Sequence, residues 1–129
     1  MKCGNQRPSV GSLGESLACD ELMCRGYAIL ATRYRSRFGE LDIVCRRNGV
    51  LGFVEVKARK APARPADRAT ALDAISPRKQ RKVAAMALDY LAWSGQLDKP
   101  CRFIVVAIDG LGTNRQTMTV IEDAWTVDH

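Results

Sequence analysis

The chain is poor in the residues that build zinc sites. Its only histidine is the terminal His129, and its five cysteines, Cys3, Cys19, Cys24, Cys45 and Cys101, show no CxxC spacing. Structural zinc takes Cys and His ligands at short, characteristic spacings, so the composition argues against a zinc finger or ribbon. Cys45 and Cys101 fall at or beside apolar runs and read as small core residues, which makes the expected compartment a reducing one. There is also no N-terminal apolar h-region and no run long enough to span a bilayer. The expectation is a cytoplasmic protein with no membrane partner.

What is present fits one ordinary globular domain over residues 1–129. The length permits a core without covalent staples, and 47% hydrophobic with 26% charged residues is a usual soluble balance. The net charge is +6, which points to a polyanionic partner. Its placement is uneven: residues 57–82 hold nine Lys or Arg against two Asp, a local +7, while the rest of the chain sums to −1.

The most informative stretch runs from Gly39 to Lys57. Two runs rich in apolar and β-branched residues, Leu41 to Cys45 and Val50 to Val56, flank Asn48-Gly49, a strong signal for a two-residue hairpin turn. That turn sets Arg47 against Val50, Val44 against Phe53, Asp42 against Glu55 and Glu40 against Lys57. Like charges facing each other across an antiparallel pair are destabilising, and a hard divalent cation held by one or two carboxylates would offset the repulsion. Period two puts Lys57 on the face of Glu55, about 7 Å along the strand. The plainer account is a wet hairpin face on which Glu40 and Lys57 form an ordinary ion pair. Both stay open at this point.

Along the rest of the chain, residues 1–8 read as a loose terminus. A helix is expected from Ser12, where Ser12-Leu13-Gly14-Glu15 fits a capping box, to a stop at Gly26. Glu15 has two readings: the third residue of that box, or a member of the sheet-facing stripe Glu15, Ala18, Cys19, Leu22 that could join the acidic pair. Tyr27 to Thr32 reads as the first strand. Arg33, Arg35 and Arg37 then alternate, either as a phosphate-binding row or as a solvated edge that resists aggregation. Residues 58–75 carry Arg59, Lys60 and Arg64 among prolines and alanines and read as a mobile basic loop, a clamp on a nucleic-acid backbone or simply a long connection. Ser76-Pro77 opens a second helix with the inward stripe Val83, Met86, Ala87, Tyr90, Leu91, Ser94. Lys79 falls on the sheet-facing side at the positive end of the helix dipole, which calls for a negative partner there, while Arg78, Arg81 and Lys82 present a basic surface. Cys101 to Ile108 suits a central strand covered on both faces, and Thr117 to Ile121 a short last strand.

These residues resemble a known family. Glu15, Asp42 and Glu55-Val56-Lys57, carried on helix, strand and strand, resemble the PD-(D/E)xK nuclease superfamily. More narrowly, the chain looks like the YraN-like family of bacterial proteins: Gly11-x-x-Gly14-Glu15-x-x-Ala18, Gly26-Tyr27-x-Ile29-Leu30, Gly39-Glu40-Leu41-Asp42-Ile43-Val44, Phe53-Val54-Glu55-Val56-Lys57-x-Arg59, Lys79 and Tyr90-Leu91 carry the match. Two departures are Arg33, where the family usually has asparagine, and Leu41, where the superfamily's name has proline.

The resemblance implies an α/β fold with a restriction-endonuclease-like core, a mixed sheet of about five strands flanked by helices. It implies a Mg²⁺ or Mn²⁺ ion held by Asp42, Glu55 and the Val56 carbonyl, with Lys57 orienting the attacking water. Glu15 would be an outer acidic ligand, directly or through water, and Lys79 a phosphate contact or support. A homodimer is a further implication. The resulting expectation is a metal-dependent endonuclease acting on DNA in preference to RNA, branched or structured DNA included. The alternative is a nucleic-acid-binding module that keeps the fold without cleavage, and Arg33, Arg35, Arg37, Arg59, Lys60, Arg64, Arg78, Lys79, Arg81 and Lys82 are the candidate nucleic-acid contacts under both.

Overall fold

The computed structural model describes residues 10–60 and 75–126. The loose-terminus reading of residues 1–8, and the part of the basic loop that holds Arg64, lie outside the described residues. The order is α1 (Val10–Cys24), β1 (Ala28–Ser36), β2 (Gly39–Arg47), β3 (Val50–Ala58), α2 (Pro77–Trp93), β4 (Cys101–Asp109) and β5 (Thr117–Ile121). The strands form one mixed sheet in the order β1-β2-β3-β4-β5. Only β3 and β4 pair in parallel, and α2 lies in the crossover between them. This is the α/β architecture expected, consistent with a restriction-endonuclease-like core.

The hairpin forms in the register that Asn48-Gly49 dictates, with Arg47 opposite Val50 and Val44 opposite Phe53. Asn48 and Gly49 both take positive φ, 52° and 78°, as a turn matched to the twist of the strands requires. β1 extends to Ser36, four residues beyond the apolar run that announced it. Pairing with β2 carries it through Arg33-Tyr34-Arg35-Ser36, where Tyr34 is the only strong strand former.

The sheet is covered on both sides, each helix sealing one face. Ala18, Cys19 and Leu22 of α1 pack with Ile43, Cys45, Val54, Ile104, Val106 and Ile108. On the other face Val83, Met86, Ala87, Tyr90 and Leu91 of α2 pack with Leu41, Val44, Leu51, Phe53 and Phe103. β4, buried from Phe103 to Asp109, is the doubly covered strand its apolar run called for. Cys45 is fully buried as expected, but Cys101 is exposed at the first position of β4. It sits where the strand has only just entered the sheet, which corrects the core reading for that residue.

Two close approaches set the helices. A Cβ at Gly14 would lie 2.8 Å from the Cβ of Ala58, so glycine lets the first turns of α1 lie directly on the end of β3. On the opposite face α2 starts as its sequence dictates: Ser76 accepts the backbone N–H of Lys79 at 3.1 Å and Pro77 occupies the first turn. Among the described residues no helix is long and apolar enough to cross a membrane.

Candidate metal centre and nucleic-acid interface

The candidate site sits where the strand ladders give out. β2 and β3 are paired from Arg47–Val50 as far as Ile43–Val54, and the next rung, Asp42 and Glu55, is not part of the ladder. On its other side β2 pairs through Thr32–Ile43 and Tyr34–Leu41, and the rung between, Arg33 and Asp42, is again missing. Ile43 packs with the α1 cluster and Leu41 with the α2 cluster, so the facing of β2 turns over between them. Arg33 has φ +53° at this switch, a left-handed conformation that is uncommon outside glycine and asparagine. Freed from regular pleating, Asp42 turns its carboxylate toward β3, where Oδ2 accepts the Val56 N–H at 2.7 Å.

Glu55 reaches the same place from β3. Phe53 packs on the α2 face while Val54, Val56 and Ala58 pack on the α1 face, so alternation turns Glu55 and Lys57 toward α2. Glu55 is only 5% exposed, and its Oε2 is buried with no hydrogen-bond partner. Across the gap, Lys79 Nζ lies 3.7 Å from Glu55 Oε1, the negative partner that its position on α2 demanded.

Burial governs the electrostatics of the pair. Desolvation, then the charge of Asp42, push the Glu55 carboxyl up to about 7, against the pull of Lys79 and Lys57. Asp42 is raised as well, chiefly by burial, while its bond from Val56 N–H works in the opposite direction. Two carboxylates are thus held in a desolvated place, and one buried oxygen lacks a hydrogen-bond partner. Such a site fits a hard cation. Mg²⁺ is commonly bound through one or two carboxylates with waters and substrate oxygens completing the shell. Among the described residues no group of three Cys, His, Asp or Glu side chains gathers to hold a metal, so the carboxylates on offer at this point are those of Asp42 and Glu55.

Glu15 is drawn elsewhere. α1 begins at Val10, two residues before Ser12, so Ser12 does not serve as the N-cap and the capping-box reading is corrected. Arg33 spans both side chains of that box instead: its Nε donates to Glu15 Oε1 at 2.8 Å and its Nη2 to Ser12 Oγ at 2.6 Å. Glu15 still adds its negative charge to the surroundings of Asp42.

The basic candidates sort by what they touch. Arg33 is committed to Glu15, and the exposed Arg35 meets Glu40 at 3.3 Å. Arg37 stands in the β1–β2 turn with its guanidinium 5.0 Å from the centre of the Phe38 ring. Arg33 and Arg35 thus both lie near Glu40, and each of the three has a contact within the chain. Arg59 forms a close ion pair, 2.7 Å, with the buried Asp109 of β4, which anchors the start of the basic loop. Lys60, Arg78, Arg81 and Lys82 are exposed; the last three share the first turns of α2 with Lys79, whose ammonium lies against Glu55.

One charged cluster gave no signal in the sequence. Glu122, just past β5, accepts from Tyr27 Oη at 2.6 Å, Arg47 at 2.7 Å and Arg25 at 3.2 Å, and its carboxyl is held below the ordinary range, first by the Tyr27 bond. It gathers partners up to 97 residues away in sequence, a separation at which no local spacing can speak. It lies at the hairpin-turn end of the sheet and ties the segment after β5 to α1 and the hairpin.

Comparison with known proteins places the chain in a family. A model of the family described as "Uncharacterised protein family UPF0102" matches residues 14–108. A UPF0102 protein of Symbiobacterium thermophilum is 39% identical over 116 residues, covering 90% of this chain and 95% of the relative. One of Anaeromyxobacter dehalogenans is 41% identical over 105 residues, 81% of this chain and 75% of the relative. One of Ralstonia pickettii is 42% identical over 104 residues, 79% and 82% respectively. The matched span contains α1 from Gly14 onward, the hairpin, α2 and every residue of the carboxylate site, and the chain belongs to the UPF0102 (YraN) family.

Proposed function

We propose that the chain is a metal-dependent endonuclease that hydrolyses phosphodiester bonds of DNA. The observation that carries the reading is the desolvated pair of Asp42 and Glu55, with one Glu55 oxygen buried without a hydrogen-bond partner, Lys57 on the same strand face and the cationic first turns of α2 beside it. A Mg²⁺ or Mn²⁺ ion held by Asp42, Glu55 and the Val56 carbonyl would supply Lewis acidity to the scissile phosphate. In the reaction a water oxygen bonds to phosphorus, one ester P–O bond breaks, and the departing oxygen takes up a proton.

The chain's own groups divide that work. Val56 N–H holds the Asp42 carboxylate in place. Lys57 presents an ammonium that orients the attacking water and stabilises charge gathering on the phosphate oxygens. Lys79 balances Glu55 and, from the positive end of α2, attracts a neighbouring phosphate. Arg78, Arg81 and Lys82 add the salt-sensitive grip on the backbone that flanking phosphates invite.

A second reading, a binding module without cleavage, is favoured by one observation: Lys79 already gives Glu55 a counter-charge. The two part on a direct assay. Single-stranded, duplex and four-way-junction DNA incubated with Mg²⁺ or Mn²⁺ should be cut by the wild type and cut at least a hundred-fold more slowly by Lys57→Ala, which keeps both carboxylates. Retained DNA binding with no cutting by the wild type would establish the binding module instead.

A further inference from the structure

The tip of the β1–β2 hairpin holds a residue that the fold does not use. Ser36 pairs with Gly39, leaving Arg37 and Phe38 as a two-residue turn where small polar residues and glycine ordinarily suffice. Phe38 joins no core cluster and is 38% exposed. The turn itself is firmly built: Ser36 Oγ donates to the Gly39 carbonyl at 3.2 Å and accepts the Phe38 N–H at 3.0 Å. An apolar ring is therefore presented to solvent on a braced support. One side of it is met by the Arg37 guanidinium, 5.0 Å from the ring centre.

Its neighbours are cationic, and the tip is close to the carboxylate site. Arg35 and Arg37 flank it on the hairpin. Lys82 of α2 approaches from the side, its Cε 3.3 Å from where a Cβ of Gly39 would stand. Lys82 lies one turn beyond Lys79, which touches Glu55, so a single edge of α2 runs from the carboxylates to the tip. Along β2, Gly39 is three residues before Asp42, about 10 Å at 3.4 Å per residue. An aromatic face set among cations that can pair with phosphates is the arrangement on which unstacked nucleobases lie in single-strand binding proteins.

We propose that Phe38 is a base-stacking platform, so that the substrate taken by this site is DNA with an unpaired base beside the cleaved strand position. This rests on the nuclease reading and narrows it. The ring takes one face of the base, while Arg37 and Lys82 meet the phosphates on either side. A fully paired duplex offers no free base face to the tip and gains only the electrostatic grip.

The test is equilibrium binding in EDTA, so that no cleavage intervenes, to a forked DNA carrying one 2-aminopurine in its unpaired arm and to a blunt duplex of the same length. Phe38→Ala should weaken fork binding about ten-fold, the ratio that 1.4 kcal/mol corresponds to, with less than two-fold change on the duplex. Phe38→Trp should retain fork affinity, and 2-aminopurine fluorescence should be quenched by wild type and Phe38→Trp but not by Phe38→Ala. Replacing the unpaired base by an abasic unit should cost the wild type the same ten-fold and Phe38→Ala nothing more. If Phe38→Ala binds the fork as tightly as the wild type does, the platform is overturned and the nuclease reading stands. If the wild type binds neither DNA, both fall.

Discussion

The Asp42 carboxylate accepts the backbone N–H of Val56 at 2.7 Å, the residue between Glu55 and Lys57. This bond occupies the place where a ladder bond would otherwise continue the hairpin, since backbone pairing of β2 and β3 stops at Ile43–Val54. It joins the two strands at the point where their carboxylates converge. Asp42 is thus both a strut of the hairpin and half of the charged pair, and its substitution by alanine should loosen Glu55 as well as remove a proposed metal ligand.

The titration of Glu55 gives a pH dependence of defined sign. Its folded carboxyl lies near 7 against an ordinary value of 4.5, so the neutral form is favoured by folding. The corresponding stability is fully present below about pH 4.5 and is lost as the pH rises through 7. Urea unfolding in EDTA should show a fall on the order of a few kcal/mol between pH 5 and 8, with Asp42 contributing in the same direction. In Glu55→Gln this fall should shrink to what Asp42 and the remaining groups supply; an unchanged slope would show that Glu55 is not the buried group described.

Arg33 pays a conformational cost at φ +53° while holding Glu15. Replacing it by alanine removes the ion pair and keeps the strain; replacing it by glycine removes both. The comparison cancels the half-exposed salt bridge, so Arg33→Gly should be about 1 kcal/mol more stable than Arg33→Ala. Equal urea midpoints at equal m-values would mean that the left-handed turn is not held in solution.

Gly14→Ala tests the seating of α1. In a free helix the change would stabilise by about 1 kcal/mol. Here the new methyl would meet the Ala58 Cβ at 2.8 Å, and overpacking typically costs 1–3 kcal/mol. A net loss of roughly 1 kcal/mol is expected, with a shift of α1 that lengthens the Glu15–Arg33 pair. A rise in thermal midpoint would contradict the close packing.

Much of this was legible in the sequence because it is written in local patterns. Asn48-Gly49 dictates the hairpin register, the period of α2 aims Lys79 at a negative partner, and Ser76-Pro77 marks where that helix begins. What was not legible depends on events between distant segments. Nothing near Arg33 announces a left-handed backbone, which exists because β2 must change its facing between Ile43 and Leu41. Arg33 is drawn to Ser12 and Glu15 there, and the capping box fails because α1 starts two residues before Ser12. Arg59 looked like a free cation because its partner, Asp109, is 50 residues away, and the gathering of arginines on Glu122 is equally non-local. Phe38 carries no signal in the sequence because a lone aromatic in a turn has no period to reveal it.

The carboxylate site is tested most directly by titrating Mn²⁺ into the protein at pH 7.5 by calorimetry, comparing the wild type with Asp42→Asn/Glu55→Gln, which preserves side-chain size. The account predicts one saturable ion in the wild type and no binding heat in the double variant while its circular dichroism stays native. Equal binding by both proteins, or none by the wild type, would contradict a metal centre at Asp42 and Glu55.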